Sequence, residues 1–126
     1  MIDLEKNLKT VLKAAFEKKG EGILLLDIRK TAPFLCDYFV IVTGHTREHL
    51  QAISDNIVES LEKDGIRMDH IEGYEVGKWI LLDYIDFVIH IMTREAREYY
   101  SLENLWGDAR TLRFPEDFED EPEKED

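Results

Sequence analysis

Two apolar runs decide the fold: Trp79-Ile80-Leu81-Leu82-Asp83-Tyr84 and, two residues later, Phe87-Val88-Ile89-His90-Ile91-Met92. Each is strand-length and rich in β-branched and aromatic residues, and the turn between them is tight, so they predict an antiparallel hairpin over residues 78–84 and 87–93. Side chains alternate along a strand, so Trp79, Leu81 and Asp83 share one face, and Ile80, Leu82 and Tyr84 share the other. One face must cover the core. The face that carries tryptophan with aspartate is predicted to be presented to a partner.

The elements around this hairpin follow from hydrophobic periodicity. A first helix, capped by Asp3 and ended by Gly20, is predicted from apolar residues at helical spacing: Leu4, Leu8, Val11, Leu12 and Ala15. A second helix is predicted from about Thr46 to Gly65, and a third at about 94–109 with a break near Ser101. Further strands are predicted at 23–28, 38–42 and 66–71. The order α-β-β-α-β-β-β-α predicts an α/β (α+β-like) fold, with a single mixed sheet of about five strands flanked by helices.

Composition indicates an ordinary soluble domain. The chain has 126 residues, 44% hydrophobic and 35% charged, which is enough for one core without covalent crosslinks. A single cysteine, Cys36, excludes an internal disulfide and suits a reducing compartment. The apolar runs are too short to cross a bilayer, and Asp3 and Glu5 stand where a signal peptide would be positive. We therefore expect a cytoplasmic protein that does not associate with membranes.

The net charge of −12 is unevenly distributed. Residues 113–126 contain eight acidic and two basic residues, two prolines and few apolar side chains, so this segment is predicted to be a disordered acidic tail that follows a folded domain at 1–112. The domain itself carries twenty acidic and fourteen basic residues. Phosphate binding needs clustered Lys and Arg, so little direct nucleic acid contact is expected. A basic protein is the complementary partner.

The clearest catalytic motif is His45-Thr46-Arg47-Glu48-His49, which matches the H-x-x-E-H pattern of zinc peptidases. That chemistry needs both histidines on one face of a formed helix. Gly44 and Thr46 place the helix start between them, so His45 is predicted to lie outside the helix. The segment is therefore interpreted as solvated residues around a helix start, with no metal.

A nucleotidyltransferase site is the second catalytic candidate. It needs a Gly-Ser turn and two carboxylates spaced i, i+2 on a strand, which together hold the metal ions. Gly44 and Asp37 resemble parts of such a site, but the residue two positions after Asp37 is Phe39, and Asp27 is isolated. His90 is predicted to be a hydrogen-bonded structural residue, and Cys36 a packing residue. No catalytic residue, metal or cofactor is therefore predicted.

Large aromatic residues dominate the second half of the chain. Tyr99, Tyr100, Leu102, Glu103 and Trp106 follow the hairpin that carries Trp79 and Asp83. Aromatic residues surrounded by charges are typical of an interface centre with a polar rim.

Several short motifs, in this order along the chain, resemble the ribosomal silencing factor family, the Iojap-like proteins: Asp37-Tyr-Phe-Val-Ile, Thr43-Gly44, His49, Glu72-Gly73, Gly77-Lys78-Trp79, Leu82-Asp83, His90, Arg97-Glu98-Tyr99-Tyr100 and Leu102-Glu103-x-x-Trp106. The resemblance covers about residues 4–109. It implies a nucleotidyltransferase-like topology without enzyme activity. It also implies binding to the large ribosomal subunit through its fourteenth protein, which would block an intersubunit bridge, prevent subunit joining and repress translation.

Together with this resemblance, the residue pattern predicts seven partner-binding residues: Glu72, Trp79, Leu81, Asp83, Tyr100, Glu103 and Trp106. The tryptophans, leucine and tyrosine are expected to make apolar contacts, and the three acids to meet basic groups. His90 and Arg97 are expected to hold the fold. Two alternatives remain: a nucleotidyltransferase-like enzyme that uses Asp37, and an adaptor that self-associates. A homodimer through an exposed sheet edge or the aromatic face is compatible with the pattern.

Overall fold

A computed structural model describes residues 2–118 of the chain. In chain order the elements are α1 (Ile2–Glu17), β1 (Glu21–Asp27), β2 (Tyr38–Gly44), α2 (Arg47–Lys63), β3 (His70–Glu72), β4 (Trp79–Asp83), β5 (Phe87–Thr93), α3 (Arg94–Tyr100), α4 (Leu102–Leu105) and β6 (Arg110–Phe114), followed by a 3₁₀ turn at Glu116–Phe118. The predicted hairpin is confirmed, since β4 and β5 are antiparallel neighbours with Trp79 opposite Met92.

Within residues 2–118, the strands form a single mixed sheet in the order β3-β4-β5-β2-β1-β6. Only β2 and β5 are parallel, and the other neighbours are antiparallel. The predicted fold class is therefore confirmed, with six strands in place of about five. β2 lies inside the sheet and is buried from Phe39 to Gly44, as its β-branched sequence predicts.

Helices and loops cover the two faces of the sheet unequally. On one face α1 and α2 pack against a large apolar core that includes Ile80 and Leu82, both fully buried. On the other face the β1–β2 loop, α3 and α4 cover a smaller core around Phe39 and Ile41. This cover does not fully extend over β4, where Trp79, Leu81 and Asp83 alternate with buried neighbours and remain half-exposed. The alternation predicted for this strand is thus confirmed.

The predicted start of a disordered tail at Arg113 is wrong, because β6 contains Arg113 and Phe114 and pairs antiparallel with β1. Leu112 and Phe114 alternate with polar residues and pack against the larger core, and the Phe114 ring meets the Phe16 ring edge-on at 5.8 Å. The predicted last helix also ends early, at Leu105. Residues 119–126 of the expected acidic tail lie outside the described residues, and for them disorder stays a prediction.

Most of the predicted helix ends agree with the structure. Thr46 caps α2 by accepting the His49 N–H, and Ser101 breaks the last helical segment in a left-handed conformation with φ of 51°. The first helix ends before Gly20, as expected, but the left-handed residue is Lys19, with φ of 64°. Gly20 is required for space, since a Cβ there would lie 2.6 Å from the Val42 side chain. Asp3 lies inside α1 and does not precede it.

Strand β3 is shorter and later than predicted. It covers only His70–Glu72, whereas residues 66–71 were expected. Ile66 and Met68 pack against the larger core without belonging to a strand. Their hydrophobicity therefore reflects burial against the core. Composition alone does not distinguish a buried residue outside a strand from a residue that pairs within one.

The packing of β6 on the larger core predicts an effect on stability. Leu112→Ala is expected to lower the free energy of unfolding by about 1–3 kcal/mol, because it removes apolar area that packs on the core. Thr111→Val is the matched control, since Thr111 is exposed on the opposite side of the same strand. Urea denaturation of both variants measures the difference. Equal, near-zero changes would indicate that this segment contributes nothing to the folded state.

Candidate functional site

Five of the seven predicted partner-binding residues form a half-exposed surface over β3, β4 and α3. Glu72 is opposite Leu81 on neighbouring strands, so both point to the side of the sheet that also carries Trp79 and Asp83. Tyr100, at the end of α3, joins them because its ring centroid lies 4.7 Å from that of Trp79. We call these five residues the aromatic face.

Trp79 is held on two sides. Its indole Nε1 donates a hydrogen bond to His90 Nδ1 at 3.1 Å, beneath the surface. On the outer side it contacts Tyr100, which is 52% exposed and in turn meets Tyr99 edge-on at 4.9 Å. Tyr99 is 80% exposed, so the aromatic surface extends beyond the residues predicted as contacts.

His90 is buried in the middle of the sheet, and burial lowers its pKa to about 4. Because Nδ1 accepts the indole N–H, the neutral imidazole carries its proton on Nε2. Nε2 is buried and has no hydrogen-bond partner among residues 2–118. The Phe39 ring meets the imidazole edge-on at 4.9 Å. The prediction of a hydrogen-bonded structural histidine is confirmed.

The acidic members of the aromatic face also have internal contacts. Glu72 Oε2 lies 2.7 Å from His70 Nε2, and this hydrogen bond raises the pKa of His70. Asp83 Oδ1 accepts the Ile85 N–H at 2.8 Å and so stabilises the hairpin turn, where Ile85 has φ of 71°. Both carboxylates remain partly accessible, so they form a negative margin beside Trp79 and Leu81.

Glu103 and Trp106 are not part of this surface. Glu103 Oε2 accepts from Arg97 Nε at 3.1 Å, and Trp106 packs against Phe39 at the smaller core, with ring centroids 6.0 Å apart. Both residues therefore stabilise the α3–α4 segment. The proposed contact surface therefore consists of the aromatic face without these two residues.

Arg97 connects this segment to the sheet, which agrees with the expectation that it holds the fold. Its Nη1 donates to the Gly22 carbonyl at 2.7 Å and to the Thr43 hydroxyl at 2.8 Å. A Cβ on Gly22, which has φ of 53°, would lie 2.9 Å from that Nη1 atom. Glycine is required here both for its backbone conformation and for the close approach of the guanidinium.

The H-x-x-E-H segment does not form a zinc site. His45 precedes α2, and its backbone N–H donates to His49 Nδ1 at 2.9 Å. His49 Nε2 donates to the Lys18 carbonyl at 2.7 Å, so both nitrogens of that ring are engaged. Over residues 2–118, no group of three or more His, Cys, Asp and Glu side chains is arranged to hold a metal ion.

The other catalytic candidates also have structural contacts. Asp27 forms two hydrogen bonds with the Arg29 guanidinium, at 2.9 and 2.7 Å, and the Arg29 contact lowers the pKa of Asp27. Asp27 is therefore paired with an arginine. Cys36 is buried, and burial raises the pKa of its thiol to about 11, which agrees with a packing role. Within the described part of the chain, no helix combines the length and apolar character needed to cross a bilayer.

The buried His90 predicts a pH dependence of stability. A histidine in the unfolded chain takes up a proton near its ordinary pKa of 6.5, whereas folded His90 stays neutral until about pH 4, so the folded state loses stability as pH falls between these values. Between pH 7 and pH 5 the wild type is expected to lose about 2 kcal/mol more unfolding free energy than His90→Leu. Urea denaturation at both pH values measures this difference. Equal losses would show that His90 titrates normally in the folded state.

Comparison with known proteins identifies the family of this chain. The sequence profile of the family described as "Ribosomal silencing factor during starvation" matches residues 2–126, which includes the tail that the motif resemblance did not cover. A protein named ribosomal silencing factor RsfS from Bacillus subtilis is 37% identical over 107 residues, covering 82% of this chain and 90% of that protein. A crystal structure of a protein from Chromobacterium violaceum superposes with a TM-score of 0.79 at 31% identity, over 82% of this chain and 85% of that one.

A relative from mouse matches a shorter part of the chain. It is named mitochondrial assembly of ribosomal large subunit protein 1 and is 40% identical over 73 residues, which cover 56% of this chain and 32% of that protein. The profile match spans nearly the whole sequence, and the Bacillus subtilis relative covers more than two thirds of it. The chain therefore belongs to the ribosomal silencing factor family.

Proposed function

We propose that this chain binds the large ribosomal subunit through its fourteenth protein, occupies the surface that the small subunit needs, and so represses translation by preventing subunit joining. The observation that carries the proposal is the aromatic face, where Trp79 is held at a surface that also carries two carboxylates. The names of relatives support the choice of target, since one refers to ribosome silencing and another to the large subunit. The proposed site of action is the cytoplasm, as the sequence predicts.

The chemistry of the aromatic face suits a basic protein surface. Trp79, Leu81 and Tyr100 supply apolar area, and Glu72 and Asp83 supply negative charge at its margin. The chain as a whole has a net charge of −12, which repels the phosphate backbone of ribosomal RNA and favours approach to a basic ribosomal protein. Because the whole chain is acidic, the contact is proposed to be protein to protein, with little direct RNA contact.

In the proposed mechanism, it is sufficient that the chain occupies the surface of the large subunit that the small subunit needs. The chain needs no reaction and no cofactor if its bound position overlaps the path of the small subunit. The internal contacts of Asp27, His45 and His49 give no support to the alternative of a nucleotidyltransferase-like enzyme. What the mechanism requires is an affinity high enough to compete with the other subunit, which a tryptophan buried at the centre of the interface can supply.

Self-association is the second candidate, and one observation favours it. β3 is at the edge of the sheet, and its three residues pair on one side with β4. Open strand edges can pair with a second copy. Analytical ultracentrifugation over a concentration series tests this, and a dimer that dissociates when large subunits are added would connect the two candidates.

Trp79→Ala is expected to weaken binding to purified large subunits by about thirty-fold or more, because it removes the centre of the apolar surface. Phe34→Ala is the control for loss of an exposed aromatic ring, since Phe34 is 81% exposed in the β1–β2 loop. Co-sedimentation with large subunits measures both. If Trp79→Ala binds as well as the control, the aromatic face is not the binding surface.

Asp83→Lys is expected to weaken the same interaction because it places a positive charge against a basic partner. Glu59→Lys makes an equal change of charge on α2, which covers the opposite face of the sheet, and is expected to bind nearly as well as the wild type. The difference between the two variants should shrink as salt is raised. Equal losses of binding affinity in the two variants would indicate a general effect of net charge and not a local contact at Asp83.

The proposed mechanism itself is tested by subunit joining. Purified small and large subunits are mixed with and without excess protein and separated on sucrose gradients. The wild type is expected to reduce the fraction of joined ribosomes, and Trp79→Ala to restore it. Unchanged joining with saturating wild-type protein would contradict the proposal even if the protein binds the large subunit.

A further inference from the structure

We propose that His90 is the positioning residue of the aromatic face, holding the Trp79 indole with its N–H inward so that only the carbon edge of the ring meets a partner. The inference rests on the proposed function for the identity of that partner. The positioning itself concerns this chain alone and can be tested without a ribosome.

The strand register brings the two side chains together. Leu81 is opposite His90 on the neighbouring strand, and Trp79 is one pleat further along the same face. His90 and Trp79 are therefore diagonal neighbours, a spacing that large side chains bridge. The bond from Trp79 Nε1 to His90 Nδ1 is 3.1 Å long, and the ring centroids are 5.8 Å apart.

His90 is the fixed member of this pair. It lies on β5, which pairs with β4 on one side and β2 on the other, and it is only 5% exposed. Phe39, its diagonal neighbour on β2, meets the ring edge-on. Tyr100, the other neighbour of Trp79, is half-exposed at the end of a seven-residue helix. The sheet therefore sets the orientation of the imidazole, and the imidazole sets the orientation of the indole.

Folding alone does not explain a histidine here. Its Nε2 is a buried donor with no partner among the described residues, and an unsatisfied buried donor lowers stability. Leucine would fill similar space beside Phe39 and Ile41 without that cost. A histidine is explained at this position, despite the stability lost at Nε2, if Nδ1 is needed as the hydrogen-bond acceptor for Trp79.

The chemistry of the partner follows from this bond. An indole has one donor and no acceptor, and here the donor is used inside the protein. The partner surface that meets Trp79 is therefore apolar, and needs no carbonyl or carboxylate at that point. Its basic groups face Glu72 and Asp83, which lie on the same face of the sheet, on the Leu81 side of the ring.

Two substitutions separate positioning from folding. His90→Asn keeps an acceptor close to the place of Nδ1, whereas His90→Leu removes it and keeps an apolar side chain of similar size. Both are made in a Trp106→Phe background, so that Trp79 supplies the single indole signal of the chain. Hydrogen exchange of that indole N–H is measured by NMR, and unfolding by urea denaturation.

The indole N–H is expected to exchange about tenfold faster in His90→Leu and to be protected in His90→Asn, because a hydrogen bond of ordinary strength contributes about that factor. Unfolding of His90→Leu near neutral pH is expected to need at least as much urea as the wild type. Unchanged indole exchange in His90→Leu would overturn the proposal, whatever the result of any ribosome experiment.

A double-mutant cycle then connects the bond to binding. His90→Leu is expected to weaken binding to purified large subunits by about tenfold and His90→Asn to restore it, while His90→Leu adds no further loss in a Trp79→Ala chain. Additive losses would overturn the proposal, since His90 would then act independently of Trp79. If Trp79→Ala itself binds normally, the aromatic face is not the binding surface, and the exchange measurement alone decides the positioning role.

Discussion

The parallel pairing of β2 with β5 is the constraint on which the rest of the structure depends. The two strands run side by side from Tyr38 opposite Phe87 to Gly44 opposite Thr93, and they connect the N-terminal half of the chain to the hairpin. Their carboxyl ends lie together, and from there α2 and α3 leave to opposite faces of the sheet. One helix completes the larger core. The other brings Tyr100 to Trp79.

Most of the fold could be predicted because local sequence and tertiary packing favour the same structure. Alternation along β4, the threonine cap at the start of α2 and the break at Ser101 are all visible within a few residues. β6 was missed because its alternation is short and lies next to an acidic, proline-containing segment. Its stability comes from pairing with β1, a strand some ninety positions earlier, and nothing in the local sequence reveals that partner.

In the candidate site, too, the predictable features are local in sequence, and the missed ones depend on contacts between distant parts of the chain. Residues that share a strand, such as Trp79, Leu81 and Asp83, could be assigned to one surface from periodicity alone. Glu103 could not, because its partner Arg97 is held by a carbonyl and a hydroxyl from the first two strands. Composition distinguishes aromatic and charged residues from the rest. It does not tell which of them have partners within the fold.

Arg97 makes the aromatic face dependent on a distant part of the sheet. One guanidinium connects α3, the helix that ends in Tyr100, to the start of β1 and the end of β2. A shift of Gly22 in β1 or of Thr43 in β2 would therefore reach α3 through one guanidinium. The two aromatic rings are thus anchored to different parts of the sheet: the indole to the hairpin through His90, and the tyrosine, by way of α3, to β1 and β2 as well.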